Sequence, residues 1–207
     1  RGGGIGGGGG GRGGPGFRLV SIEPAPPNVA LLRRNLARAG AVGCVAVVES
    51  ALGEAAGRAK LAYYPRMPGN STLHPRAKWE QRVAFQPARR RAMFRSRRYD
   101  VRVETLSEVL RVHGSGAPVE LLKLDVEGSE GGALRGVADE DWPRIRQVVV
   151  EVHGGAARGE VEALLRRRFG RVRYTADEEL RRCGLDHGIL TAAGGTPPCR
   201  DSLLQTT

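Results

Sequence analysis

Aromatic residues are scarce in this chain, at 5% of 207 residues. That is too few for the base-stacking platforms of proteins that bind single-stranded nucleic acid. The net charge of +11 favours nucleic-acid binding, because basic proteins often bind phosphate backbones. Only three of the 33 basic residues are lysines, however, and the arginines are spread along the chain. Nucleic acid is therefore not the expected partner, although an arginine-rich nucleic-acid-binding module stays open as an alternative.

Cysteines are also few, since the chain has only Cys44, Cys183 and Cys199, and no CxxC pair. An odd, scattered set argues against a disulfide framework and gives no zinc motif, so no metal site is expected. No hydrophobic run approaches the roughly 18 residues needed to span a membrane. The first residues lack the pattern of a signal peptide. The expectation is a protein without a membrane span, cytoplasmic or organellar by default, whose oligomeric state the sequence does not indicate.

Glycine, in contrast, is abundant, and residues 1–16 are almost all glycine, with arginines at positions 1 and 12. Such a segment holds neither helix nor strand, because glycine loses the most backbone entropy on folding. We predict a flexible low-complexity segment over 1–16, a globular domain over 17–195 and a flexible tail over 196–207. An RNA-binding glycine–arginine tail is the alternative for the first segment and requires more arginines than these two.

The most informative stretch is Leu121–Glu130. Residues 119–124 are mostly apolar and predict a strand buried on both faces. Asp125, Glu127 and Glu130 then follow in quick succession. These carboxylates are costly to bury without partners, and ligands bind at the carboxyl ends of strands in open α/β sheets. Capping of a helix over 128–136 is the alternative, but a cap requires one acidic residue and not three.

The rest of the chain alternates between strand and helix patterns. Apolar strands over 18–22, 44–48 and 145–152 each end beside an acidic residue, and amphipathic helices are predicted over 28–39, 105–112 and 159–169. An antiparallel pair over 172–175 and 188–192 closes the domain. The predicted fold class is α/β, with a Rossmann-like, mainly parallel sheet, helices on both faces and a terminal antiparallel hairpin.

A family resemblance rests on the same residues. The run Leu-Lys-Leu-Asp-Val-Glu-Gly-Ser-Glu at 122–130, followed by Leu-Arg-Gly at 134–136, resembles the signature of the FkbM-type methyltransferases. Two further pieces, at 20–24 and 148–153, agree with that family in order and spacing. The resemblance extends from Phe17 to Ala193. It implies a class I methyltransferase that uses S-adenosyl-L-methionine and methylates a hydroxyl on a small molecule or a glycan.

The resemblance also assigns roles to individual residues. Glu23, at a strand tip with Pro24 beside it, would accept both ribose hydroxyls of the cofactor. The loop after the next strand would lie along adenine, with Ser50 and Ala51 touching the ring and Glu49 accepting from its amino group. The cofactor-binding set implied in this way is Glu23, Pro24, Glu49, Ser50, Ala51 and Asp125. The position of Asp125, Glu127 and His153 at neighbouring strand tips predicts that they form the catalytic set, with a structural role for His153 as the alternative.

Two features depart from a complete family pattern. The first strand and its glycine loop belong about twenty residues before Glu23, where this chain has its glycine tract. The resemblance therefore implies a sheet without its first strand, and a truncated or inactive domain stays open as an alternative. Between predicted strands at 60–64 and 101–103 lies an insert, Pro65–Asp100, which is expected to form a mobile lid on the acceptor side. Its arginine-rich part, 89–98, fits either a solvated loop or a contact with a phosphate- or acid-bearing acceptor.

Overall fold

The computed structural model describes residues 19–80, 87–114, 116–182 and 186–194. The predicted glycine-rich segment 1–16 and tail 196–207 lie outside these ranges, as do Cys183 and Cys199. The strands are β1 (Leu19–Ile22), β2 (Val45–Val48), β3 (Ala51–Leu52), β4 (Gly57–Tyr63), β5 (Arg97–Glu104), β6 (Leu122–Leu124), β7 (Gln147–His153), β8 (Arg171–Ala176) and β9 (His187–Ala193). The helices are α1 (Pro26–Arg38), α2 (Pro75–Lys78), α3 (Ala88–Arg91), α4 (Leu106–His113), α5 (Glu130–Arg135), α6 (Gly155–Arg166) and α7 (Glu178–Arg182).

Local sequence explains the limits of several helices. Helix α1 begins with two prolines, whose fixed φ suits the first helical turn and whose missing N–H is not needed there. Helix α4 begins after a capping box, in which Thr105 and Glu108 each accept a hydrogen bond from the other's backbone N–H. Among the residues that the structure describes, no helix has the length and apolar character that crossing a bilayer requires.

The strands confirm a mixed α/β fold. The prediction of one mainly parallel sheet is wrong for the described residues, because they form three hydrogen-bonded sheets and three of the six strand pairings are antiparallel. β1 and β2 are parallel; β5 lies between β3 and β4; and the third sheet has the order β6-β7-β9-β8. β6 and β7 are parallel, whereas β9 is antiparallel to both β7 and β8, which confirms the terminal hairpin. β4 and β5 form a seven-residue antiparallel ladder that is longer than the two predicted short strands. Part of the arginine-rich stretch, Arg97 and Arg98, therefore belongs to a strand and not to a loop.

The prediction of a strand buried on both faces at 119–124 is wrong. Regular strand structure in this region is limited to β6, and residues 119–121 join the sheet only through the isolated bridge Val119↔Ile145. Leu121 is 55% exposed, and Leu19 of β1 is 52% exposed. Both leucines line the same cleft, because within the described ranges no strand pairs with the second edge of β1 or of β6.

The hydrophobic core lies between β7 and the helices α5 and α6. Val148, Val150 and Val152 alternate along β7 and are at most 1% exposed, so one face of this strand is fully covered. Leu134 of α5 and Leu165 of α6 are both fully buried against the same cluster. This packing fixes the carboxyl ends of β6 and β7 beside each other.

Two glycines offer a matched test of this packing. A Cβ added at Gly136, the C-cap of α5, would overlap the carbonyl oxygen of Gly53. A Cβ added at Gly159 in α6 would meet nothing within 4 Å. We expect Gly136→Ala to lower the free energy of unfolding by about 1–3 kcal/mol, whereas Gly159→Ala raises it by about 0.5–1 kcal/mol. Urea unfolding of both variants measures the difference, and equal effects would contradict this packing.

Candidate functional site

A cleft of about 1210 Å³ lies between β1 and β6. It runs from Val119, before β6, to Ser129, beyond the carboxyl end of that strand. Its volume lies above the range of about 300–1,000 Å³ that is typical of ligand pockets. The predicted site residues that line it are Glu23, Pro24, Ser50, Ala51, Asp125 and Glu127. The carboxyl ends of β1, β2 and β6 therefore meet at one edge, as the predicted parallel strands required.

Glu23 follows β1 directly and is held in a fixed orientation. Its Oε1 accepts a hydrogen bond from the backbone N–H of Ala25 at 2.7 Å, and its Oε2 accepts one from Nδ2 of Asn28 at 3.2 Å. The backbone N–H of Glu23 continues the parallel ladder by donating to Val48 at 3.0 Å. Each carboxylate oxygen has a further lone pair, so Glu23 can still accept hydrogen bonds from a ligand in the cleft.

Ser50 and Ala51 lie beside Glu23 because β1 and β2 run parallel, with Ile22 paired to Val48. Ser50 is 0% exposed, and its Oγ has no hydrogen-bond partner among the described residues. The hydroxyl of Ser129, across the cleft, is likewise buried and without a partner there. Buried hydroxyls in folded proteins usually have a hydrogen-bond partner, so both are available to a polar group that enters the cleft.

Glu49 is separated from the other predicted cofactor residues. Its side chain is exposed and pairs with Arg33, whose Nη2 lies 2.5 Å from Glu49 Oε1. Glu49 is not among the residues that line the cleft. Side chains alternate between the two faces of an extended chain, so Val48 and Ser50 point inward and Glu49 points outward. This geometry does not support the predicted contact of Glu49 with adenine.

A tight turn follows β6. The N–H of Ser129 donates to the carbonyl of Val126 at 3.3 Å, and the two central residues, Glu127 and Gly128, have φ of 49° and 102°. These values are typical of a type I′ turn, which favours glycine or asparagine. Glu127 in this conformation costs about 1–2 kcal/mol. The turn directs the Glu127 side chain away from the strand direction, and α5 begins at Glu130 instead of Gly128.

The insert stabilises this turn. Thr72 Oγ1 donates to the carbonyl of Glu127 at 2.6 Å, and Lys78 Nζ donates to Glu127 Oε2 at 2.6 Å. Lys78 also donates to the carbonyl of Asn70 at 2.6 Å, and its side chain is only 4% exposed. The part of the insert that contains Thr72 and Lys78 is therefore fixed to the site, whereas the sequence predicted a mobile lid.

A buried cluster of acids and histidines lies next to Glu127. His153 Nδ1 is 2.9 Å from Glu130 Oε1, and His153 Nε2 is 3.4 Å from Glu127 Oε2. Asp125, Glu127 and His153 each present a ligand atom within 4.8 Å of the others. The structure thus brings the predicted catalytic residues together, but His153 is 6% exposed and does not line the cleft. His153 can reach a bound substrate only through Glu127 or Asp125.

Glu130 is fully buried and nevertheless ionised. Burial raises the pKa of its carboxyl, but hydrogen bonds from His153 and from the backbone N–H of Gly128 outweigh that effect, so the pKa lies below its ordinary value. The carboxylate therefore accepts the proton on Nδ1 of His153. Glu130 thus orients the imidazole and does not cap α5 with a surface charge.

Comparison of the sequence with known proteins identifies the family of this chain. A family model described as the Methyltransferase FkbM domain matches residues 11–184. The chain belongs to the FkbM methyltransferase family. It is 39% identical over 166 residues to the 31-O-demethyl-FK506 methyltransferase FkbM of Streptomyces tacrolimicus, and 36% identical over 166 residues to the methyltransferase sdnD of Sordaria araneosa. Each match covers 73% of this chain and 63% of the relative.

A third relative, methyltransferase 1 of Beauveria bassiana, is 35% identical over 140 residues, which are 67% of this chain and 56% of the relative. The chain thus spans less than two thirds of the length of these relatives. No solved structure matches it significantly. Membership of the family implies a methyl donor and a methyltransferase fold, in agreement with the α/β architecture.

Sequence reasoning missed several residues of this FkbM-family site. Lys78 and Thr72 come from the insert, where no local sequence pattern indicates their buried contacts with Glu127. His187 opens β9, and the antiparallel register pairs it directly with His153. The alternation of side chains could have excluded Glu49 in advance, because the buried positions Val48 and Ser50 flank it.

Proposed function

We propose that this chain is the cofactor-binding part of an S-adenosylmethionine-dependent O-methyltransferase that acts on a hydroxyl of a small molecule or sugar. The convergence of Glu23, the unpartnered Ser50 hydroxyl and Asp125 on one cleft carries the proposal. A hydroxyl acceptor is supported by the relative named for 31-O-demethyl-FK506, because that name describes methylation at oxygen.

The residues present fit the adenosine half of such a cofactor. Glu23 is oriented to accept from the ribose hydroxyls, and Ala51 offers a small buried side chain against which a flat ring can pack. The Ser50 hydroxyl would gain the partner that it lacks. When bound, S-adenosylmethionine supplies an activated methyl group on a sulfonium sulfur. The protein residues then mainly hold the donor and acceptor in line.

The acceptor side lies around Asp125. Its carboxylate is 38% exposed and only 3.9 Å from the amine of Lys123, whereas Glu127 is held by Lys78. Asp125 can therefore contact an acceptor hydroxyl and take its proton during transfer. His153, whose Nδ1 contacts Glu130, lies with its Nε2 3.4 Å from the Glu127 carboxylate. Residues of the insert, among them Gly69 and Leu73, also line the cleft.

β1 and β6 are not hydrogen-bonded to each other, and the space between them is part of the same proposal. Both strands present an edge that no described strand pairs, and both end at the proposed cofactor residues. A further parallel strand would satisfy these edges and cover Leu19 and Leu121. We propose that the loop after such a strand holds the methionine end of the cofactor. The alternative, a truncated or inactive domain, is favoured by the same gap.

The cofactor assignment is tested by a pair of glutamates at neighbouring strand tips. Glu23→Ala removes a charged hydrogen-bond acceptor, and we expect the dissociation constant for S-adenosylmethionine to rise about 10–150-fold, equivalent to about 1.5–3 kcal/mol. Glu49→Ala removes an exposed carboxylate outside the cleft and should leave binding unchanged. Isothermal titration of both variants measures this, with weak binding by the unmodified chain as the reference.

Three outcomes separate the alternatives. Equal affinity in both variants would place the cofactor elsewhere. Complete absence of cofactor binding by the unmodified chain would favour the truncated or inactive domain. Binding to nucleic acid that falls steeply with salt would instead favour the arginine-rich binding module. If cofactor binding is found, 31-O-demethyl-FK506 is a reasonable first acceptor to assay, because a relative bears that name.

A further inference from the structure

The carboxyl end of β7 and the start of β9 carry a second group of side chains, which shares His153 with the proposed methyl-transfer site. The register of β7 and β9 places His153 opposite His187, with ring centroids 4.7 Å apart. Glu151 Oε1 lies 2.8 Å from Nε2 of His187 and 3.7 Å from Nε2 of His153. One carboxylate oxygen and two imidazole nitrogens thus surround one point.

The orientation of His153 leaves a lone pair directed at that point. Its Nδ1 donates to the Glu130 carboxylate at 2.9 Å, so its Nε2 carries no proton in the neutral ring. The side chain is 6% exposed, and Nε2 has no hydrogen-bond partner among the described residues. This buried lone pair faces carboxylate oxygens of Glu127 and Glu151 at 3.4 and 3.7 Å. A cation at this point, either a proton on Nε2 or a metal ion, removes the repulsion between these lone pairs.

We propose that a divalent transition-metal ion binds between Glu151 Oε1, His153 Nε2 and His187 Nε2. Two ligand atoms, each about 2.0–2.1 Å from one zinc-type ion, lie about 2.9–3.4 Å apart at right or tetrahedral angles. The observed separations of 2.8 and 3.7 Å bracket this range. Shifts of a few tenths of an ångström would therefore complete the coordination, with water in the remaining positions.

The surroundings have the features of an outer ligand shell. Histidine ligands usually donate their second N–H to a carboxylate. Glu130 accepts from Nδ1 of His153, and Asp177 Oδ2 lies 3.8 Å from Nδ1 of His187, which has no hydrogen-bond partner among the described residues. A metal-bound His187 would place its proton on that Nδ1, facing Asp177.

Charge and donor type define the class of ion. Glu130 is buried and Glu151 is half-buried beside the two histidines, and a dication between them would offset their negative charge. Imidazole nitrogen suits zinc, iron and cobalt, whereas magnesium and calcium prefer oxygen ligands. The bound ion would cross-link β7 and β9 next to Glu127. The inference rests on this geometry and not on the proposed methyl transfer.

Metal content and spectroscopy on the full chain test the site. After treatment with a chelator, the protein is loaded with Zn²⁺ or Co²⁺ and desalted. We expect about one ion per chain to be retained, visible d–d absorption bands with Co²⁺, and a rise in Tm with either ion. Mg²⁺ should produce neither retention nor a rise in Tm. Failure of the unmodified chain to retain Zn²⁺ or Co²⁺ would overturn the proposal.

Histidine variants locate the ion, because the chain has four histidines. His187→Gln and Glu151→Gln should each lose the ion and the cobalt bands, whereas His74→Gln and His113→Gln should keep them. Circular dichroism in the presence of chelator confirms that each variant is folded before the comparison. Equal retention by His187→Gln and His113→Gln would place the ion at other ligands and refute this site. If the cluster of Glu151, His153 and His187 binds only protons, neither the unmodified chain nor any variant will retain metal, and the proposal is refuted.

Discussion

Lys78→Met should lower the free energy of unfolding by about 3–5 kcal/mol, which is the cost of removing one partner from a buried ion pair. Lys78 Nζ contacts Glu127 Oε2 at 2.6 Å, with side chains 4% and 12% exposed. Methionine preserves most of the volume of the side chain but removes the ammonium group that contacts the buried Glu127 carboxylate. Urea unfolding monitored by circular dichroism measures the loss.

A double-mutant cycle separates the charge from the packing. The double variant Lys78→Met with Glu127→Gln removes both charges, so it should be more stable than Lys78→Met alone. Lys60→Met is the matched control, because the Lys60–Asp100 pair has a contact of similar length, 2.8 Å, but is well exposed. Its removal should barely move the unfolding midpoint. Equal effects of Lys78→Met and Lys60→Met would show that the insert does not hold the turn at Glu127.

Asp125→Asn should reduce turnover by at least about tenfold, and by up to about 10⁴-fold, because a positioned general base contributes about 10²–10⁴-fold. Asparagine has nearly the same shape as aspartate but cannot take the proton of the acceptor hydroxyl. The affinity for the cofactor should remain nearly unchanged. Single-turnover methyl transfer to a hydroxyl acceptor, measured with saturating cofactor, gives the rate.

Thermal stability distinguishes this role from helix capping. If Asp125 capped α5, its replacement would cost about 1 kcal/mol, but Ser129 occupies the N-cap position and makes no side-chain cap bond. We therefore expect an unchanged Tm in Asp125→Asn. Glu120→Gln, at the opposite end of the cleft and paired with Arg146, serves as the matched control and should keep full activity. Full activity in Asp125→Asn would remove Asp125 from the catalytic set.

The sequence by itself determined the parts that depend on a few neighbouring residues. Apolar runs that end in Glu23 and in Asp125 predicted parallel strands with polar tips, and the structure places both tips on one cleft. The capping box at Thr105 fixed the start of α4. These features follow from side-chain alternation, helix periodicity and capping, which act over about one turn or one strand.

Only the tertiary structure decided which distant residues meet. Lys78 reaches Glu127 across 49 positions, and His187 joins His153 because β9 happens to pair with β7 in one register. The exposure of Leu121 likewise depends on the unpaired edge of β6 and not on its own sequence. Strand order and register are set by the summed packing of the whole chain, so the buried ion pair and the acid–histidine cluster had no local pattern from which to be predicted.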